Sequence, residues 1–382
     1  KSARNTLAEK IARSHLVWNS TESCLKVEAI GKEIFWNSSD ASLLNFEIID
    51  DQIHLVVFKS DLAAKGFALN LLRYEPSSNS CPPLTKPIVL KPFPIHGSQI
   101  KNHKIVKVKE RVYYGSEASG LIIFDLLSKN VSIIDKDKGL PGNRIETLAA
   151  YGSKLLLFVT LDYQPTQREP EGAITLLDTE TGKIQVIAST RTGTSKSSLD
   201  ANLNLYISDM VADSTRKCVW LWMDSFTPND SEGLWQWNPQ SGDLKQVYLY
   251  EKRNFQPRQY TKVSRIVPDS TGITLLAQGE FVDRLENQDG KWQGQTLCDL
   301  SSSWYAVRPL SVMWNNRFWV LTPGMGWGLW DKGKDLLQNL DPFVPWAKGR
   351  GSQDFRLCGK QWVVASDGCV WLLDRELTDF ID

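Results

Sequence analysis

The chain has 382 residues, 42% of them hydrophobic, which is ample to bury a sizeable core. Its 44 Lys and Arg balance 44 Asp and Glu, leaving no global field to draw in nucleic acid. No apolar run reaches the roughly 18–20 residues of a membrane-spanning helix, and the six cysteines (24, 81, 218, 298, 358 and 369) lack the C-x-x-C and Cys/His spacings of a zinc site.

The chain opens on Lys1 rather than Met, so an upstream region such as a signal peptide is expected. A polar, weakly helical piece, LAEKIARSHL, is followed by CLKVEAIGKEIFW (24–36), two short strands about a glycine turn. From there one unit comes round repeatedly. It is clearest over 139–187, where turn residues GLPGN precede the strand RIETLAA, a Gly152-Ser153 turn, the buried strand KLLLFVT, a third strand AITLLD, a Thr181-Gly182 turn and a fourth strand KIQVI.

A glycine followed by a hydrophobic stretch that ends in Asp, Asn or another polar residue marks each unit. It appears as GFALNLLRY (66–74), GLIIFD (120–125), GAITLLD (172–178), GLWQWN (233–238), GEFVDRLENQDG (279–290), GLWD (328–331) and GCVWLLD (368–374). A compact apolar strand lies ahead of each. Units of about 40–60 residues made only of short strands are the signature of a propeller. The expected fold is therefore all-β: a single closed β-propeller of seven four-stranded blades, at about 41–98, 99–138, 139–200, 201–259, 260–303, 304–350 and 351–382. The last blade is short on its outer side, so residues 1–40 are expected to supply the strand that completes it and closes the ring. Thirteen of the fifteen tryptophans follow position 218 and sit mostly inside strands, where packing between blades is expected rather than a binding surface.

GLPGNRIETLAAYGSKLLLFVT resembles the two-component-regulator propeller repeat, which begins Gly-Leu-Pro-x-Asn and continues with a V-x-x-I strand. YISDMVADSTRKCVWLWMD (206–224) and KVSRIVPDSTGITLLAQG (262–279) are similar to its strand–Asp–turn–strand pattern, and GLWQWNPQSGDLKQV to its Gly-Leu-x-x-Tyr-Asp-x-x-Thr-Gly ending. The resemblance implies an extracytoplasmic (periplasmic or secreted) sensing module. It also implies that the V-x-x-I strand is innermost. Aligning Phe46, Ile100, Ile145, Ile207, Val263, Val307 and Phe355 then places Glu47, Lys101, Glu146, Ser208, Ser264, Arg308 and Arg356 at the channel mouth. Two readings stand: a self-neutralising set of ion pairs around a wet channel, or a ring in which Arg308 and Arg356 bind an anion beside Lys101, Glu47 and Glu146.

The longest connections, 189–204, 249–260 and 341–353, carry Arg191, Lys196, Lys252, Arg253, Arg258, Lys348 and Arg350, with Phe255, Tyr260, Phe343 and Trp346 interleaved. Insertions at 161–171 and 224–232 are expected on the same face. This composition suits an anionic glycan, a phosphorylated ligand or an acidic peptide, and Tyr260 and Trp346 join the candidate binding residues. Catalytic motifs are scarce: G-x-S-x-G, H-E-x-x-H and the Walker loop are absent, and only four His are present. The expected function is thus a monomeric binding or sensing module with no cofactor, no metal, no nucleic acid and no membrane span. Its partner would be an anionic small molecule, a glycan or another protein. A calcium-dependent lactonase-like hydrolase, using Glu47, Glu146, Asp209 or Asp354, and a structural scaffold for protein assembly are the alternatives.

Overall fold

The computed structural model describes residues 31–36, 41–61, 66–90, 104–161, 172–189, 206–224, 233–249, 263–277, 281–299, 310–314, 317–322, 326–331, 336–339, 354–358, 361–366 and 369–373. The chain divides into two compact units, one of Lys1–Pro83, Pro94–Ile100 and Val307–Asp382, the other of Leu84–Phe93 and Lys101–Ala306. Both are built from antiparallel β-sheet, and the described residues contain no helix long and apolar enough to cross a membrane.

In the first unit, β1 (Gly31–Trp36) is followed by the meander β2 (Ala41–Ile49), β3 (Gln52–Asp61) and β4 (Gly66–Arg73). The second unit begins with β5 (Ile88–Leu90). It then forms four sheets in chain order: β6 (Ile105–Val108), β7 (Arg111–Gly115), β8 (Leu121–Asp125) and β9 (Val131–Ile134); β10 (Arg144–Tyr151), β11 (Lys154–Thr160), β12 (Gly172–Asp178) and β13 (Ile184–Ser189); β14 (Tyr206–Asp213), β15 (Cys218–Asp224), β16 (Gly233–Trp237) and β17 (Leu244–Leu249); and β18 (Val263–Pro268), β19 (Gly272–Ala277), β20 (Phe281–Gln288) and β21 (Lys291–Asp299). The first unit resumes with the sheet β22 (Leu310–Trp314), β23 (Arg317–Thr322), β24 (Gly326–Asp331) and β25 (Leu336–Asn339). Its last strands are β26 (Asp354–Cys358), β27 (Gln361–Ser366) and β28 (Cys369–Leu373).

The recurring Gly…Asp marker acquires a physical reason here. In β12 the closing Asp178 caps its turn, its Oδ1 accepting from the backbone N–H of Glu180 (3.0 Å) and Thr181 (2.9 Å). Gly182, at φ 72°, then donates to the Asp178 carbonyl (2.8 Å). Asn238 and Gly242 (φ 80°) repeat the arrangement after β16. A short acceptor side chain followed by a residue free to adopt positive φ is what such a turn needs. The strand–Asp–turn pattern at the other hairpin is built likewise. Asp213 takes the Arg216 guanidinium (2.7 Å) and the Trp220 indole N–H (2.9 Å). Burial opposes ionisation of Asp269, yet bonds from Arg284 and Thr271 hold its carboxyl down at about 2.

Packing follows the two-residue period of a strand. In β15, Trp220 and Trp222 are buried against Val263, Ile266, Ile273 and Leu275 of the following sheet. Val219, Leu221 and Met223, on the opposite face, join Trp235 and Trp237 against Leu156, Phe158 and Ile174 of the preceding one. These four tryptophans are therefore core, as their strand positions imply. The side chains of Trp319, Trp362 and Trp371 lie outside the description.

In the first unit, Leu43, Phe46, Ile53, Leu55 and Val57 pack with Val363 of β27 and Val370 of β28. The order of the last sheet is β1-β28-β27-β26, so the fourth strand comes from the other end of the sequence, with Gly31 opposite Leu373 and Trp36 opposite Cys369. Residues 31–36 are thus the fourth strand of the sheet formed with β26, β27 and β28. β1 is joined to that sheet by no hairpin, and its backbone pairing covers an edge that would otherwise stand open. Deleting residues 1–38 should lower Tm by more than about 5 °C. An unchanged melting curve would show that the strand contributes nothing to stability.

Candidate functional site

In a meander the strand ends alternate between two edges, and in the second unit the edges differ. One carries tight turns such as Gly152-Ser153 and Thr179–Gly182. From the other leave the segments 162–171, 190–205, 225–232 and 250–262, which lie outside the described residues. We call these the turn edge and the loop edge. The basic residues Arg191, Lys196, Lys252, Arg253 and Arg258 all belong to loop-edge segments. Contacts between consecutive sheets hold the turn edge: Lys109 pairs with Glu180 (2.6 Å), and Lys154 donates to the Pro239 carbonyl (2.9 Å).

The first strand of each sheet forms the inner wall, because these strands pack on one another, β10 on β6 and β14, and β14 on β18. Three of them are bulged near their loop-edge ends, at Glu146, Ser208 and Ser264, where pairing shifts between Ile145 and Thr147, Ile207 and Asp209, and Val263 and Arg265. The residue after the bulge is thereby re-aimed. Asp209, 1% exposed, uses both carboxylate oxygens: Oδ1 accepts from Lys104 Nζ (2.6 Å) and Oδ2 from the Ile266 backbone N–H (2.6 Å). Lys104 immediately precedes β6 and Ile266 lies in β18, so one carboxylate ties the first, third and fourth inner strands of this unit together. Between Lys104 and Asp209 runs β10, with Thr147 at the same register. The hydroxyls of Thr147 and Ser208 are buried and find no hydrogen-bond partner among the described residues.

Nearer the loop edge lies a second polar group. Arg144 opens β10, and its Nε donates to Oε1 of the bulge residue Glu146, which also accepts from Thr160 Oγ1 (3.2 Å) at the end of β11. The Glu146 side chain is 13% exposed and that of Arg144 27%. Burial works against the Arg144 charge, but Glu146, Glu117 (between β7 and β8) and the Tyr206 phenol together raise its pKa. Tyr206 opens β14 and meets buried Phe158 edge to face at 5.6 Å. Desolvation, then the charge of Glu117, pushes the Tyr114 phenol up as well.

The residues singled out from the sequence fall as follows. Glu146 stands at the bulge, in contact with Arg144 and Thr160. Glu47 sits three residues past the corresponding bulge of β2, which lies at Leu44, pairs across to His54, and takes the register of Ala149 rather than Glu146. Arg356 lies in β26 opposite Val363, two residues short of the turn pair Cys358–Gln361, and so also takes the register of Ala149. Lys101, Tyr260, Arg308 and Trp346 lie outside the described residues. The sequence reading missed Lys104, Glu117, Arg144 and Tyr206. Counting back from the hairpin turn finds the first, since Lys104 stands four residues ahead of Val108 as Thr147 stands four ahead of Tyr151.

No protein-family model matches the chain, and neither does any of the curated proteins. Solved structures do. The chain is similar to YCF48 from Cyanidioschyzon merolae (TM-score 0.54, 14% identity, covering 91% of this chain and 99% of that one). It is also similar to an oligogalacturonate lyase from Vibrio parahaemolyticus (TM-score 0.52, 11% identity, 90% and 92% covered) and to the computationally designed Ika8 protein (0.50, 11%, 90% and 99%). The first two are β-propellers. The fold of this chain is a β-propeller. At such identities the likeness concerns fold alone.

The Lys104–Asp209 pair makes a direct test of the inner wall. Lys104→Met would leave a buried carboxylate with one backbone donor and should cost about 3–5 kcal/mol. Adding Asp209→Asn removes the charge but keeps an acceptor for Ile266, and should recover more than half of the loss. Denaturant unfolding of the two variants measures both, and a single variant within about 1 kcal/mol of the parent contradicts the assignment.

Proposed function

We propose that the chain closes as a seven-bladed propeller, latched by β1 on β28, and that it is a ligand-binding module working outside the cytoplasm, with its ligand held over the loop edge. The observation that carries this reading is the asymmetry of the second unit. Its turn edge is closed by short, capped turns, while four long segments leave the opposite edge, and long connections on a rigid scaffold are where binding concentrates. Lys252, Arg253 and Arg258 in 250–262, with Phe255 and Tyr260 among them, give one of those segments the composition that receives an anionic ligand. In the first unit, Arg308 and Trp346 belong to the same proposal, and in the second Lys101 and Glu146; Glu47 and Arg356, three residues nearer the hairpin turns of their strands, leave it.

The inner wall speaks for binding rather than calcium-dependent hydrolysis. Asp209, the buried acid that a cation site would draw on, is already neutralised by Lys104 and anchored to the Ile266 amide. A calcium ion would have to displace an ammonium bonded at 2.6 Å.

The reading is tested by presenting the protein to sulfated oligosaccharides and acidic peptides immobilised on one array, at low and high salt. Binding to at least one of them should weaken at high salt, and the triple variant Lys252→Ser, Arg253→Ser, Arg258→Ser should lose about tenfold or more with Tm unchanged. A triple variant that binds like the parent places the ligand elsewhere.

A further inference from the structure

Asp209 ties the first, third and fourth inner strands of the second unit, and the strand left out is β10. The same part of the wall holds two buried hydroxyls without a hydrogen-bond partner, Thr147 Oγ1 in β10 and Ser208 Oγ in β14. Their residues are 1% and 5% exposed, so each hydroxyl carries a desolvation cost that no protein group offsets. The two belong to one neighbourhood. Phe158, opposite Thr147, and Ala149, two residues on, pack in one cluster with Ile207 and Met210, which flank Ser208 and Asp209. The Lys104 side chain passes β10 at the register of Thr147 to reach Asp209. The carboxylate therefore stands level with one hydroxyl and next in sequence to the other.

Charge and burial narrow what can join these groups. An anion would face Asp209, a cation would compete with Lys104, and burial keeps out a larger molecule. Water meets the chemistry. Its oxygen accepts from two hydroxyls, and its own O–H donates to a carboxylate with lone pairs beyond the two bonds it already accepts. We propose that one internal water bridges Thr147 Oγ1, Ser208 Oγ and the Asp209 carboxylate. That water brings β10 into the tie, so all four inner strands share one polar junction. The junction belongs to the scaffold and stands apart from any ligand at the loop edge.

The test is denaturant unfolding of Thr147→Val, Ser208→Ala and the double variant. Replacing a hydroxyl that bonds nothing leaves stability unchanged or raises it, because the buried polar group is simply removed. Hydroxyls that hold a water behave in the opposite way. Each single variant should raise the unfolding equilibrium constant about fivefold or more. The double variant should raise it by much less than the product of the two, since the first change already releases the shared water. Single variants as stable as the parent overturn the proposal, and so do two effects that multiply. A high-resolution crystal structure of the parent decides the matter even where a variant fails to fold. It should show ordered water within hydrogen-bond distance of both hydroxyls, and close apolar packing there in place of water overturns the proposal.

Discussion

A single carboxylate organises the inner wall of the second unit. Asp209 is almost wholly buried, and a charge in that position is tolerable only when every lone pair that faces protein is used. It meets that condition with an ammonium from one sheet and a backbone N–H from another, across 105 and 57 residues of sequence. Asp209 is the first residue paired on the turn side of the bulge at Ser208, and the turns at the far edge fix how far each inner strand is advanced. The position of the ion pair therefore depends on register throughout the unit.

The two edges divide the work. At the turn edge, Asp178, Asn238, Asp213 and Asp269 spend their acceptors on turns of their own, and the free ends of Lys109 and Lys154 reach the next sheet. Polar groups there are consumed by structure. At the loop edge, Glu146 pairs with Arg144 and Thr160 beside the strand ends from which the long segments leave.

Much of this was legible in the residues. The Gly-to-Asp marker and the Thr-Gly and Ser-Gly turns are local chemistry, so they announce the sheets wherever they occur, and β1 pairs with β28 in the last sheet. Register was not legible in the same way. Phe46 and Phe355 look like counterparts of Ile145 because all three are apolar and precede a charged residue, yet by their distance from the turn they correspond to Leu148. Apolar residues recur at close intervals along these strands, so an alignment on them alone slips by three residues without any mark in composition. Lys104 was passed over for the same reason, in favour of Lys101. Glu117 and Tyr206 were missed because their meeting with Arg144 brings three sheets together, which only the packing reveals.

The central claim is that the sheets are a self-sufficient scaffold and the loop edge the working surface. It is tested most directly by replacing residues 162–171, 190–205, 225–232 and 250–262 with short Gly/Asn turns and measuring thermal unfolding and binding to the sulfated oligosaccharides and acidic peptides on the same preparation. The account predicts a cooperative transition within a few degrees of the parent and complete loss of binding, since the bonds from Lys104, Asp209 and the capped turns are untouched. A shortened protein that no longer unfolds cooperatively, or one that binds undiminished, would contradict it.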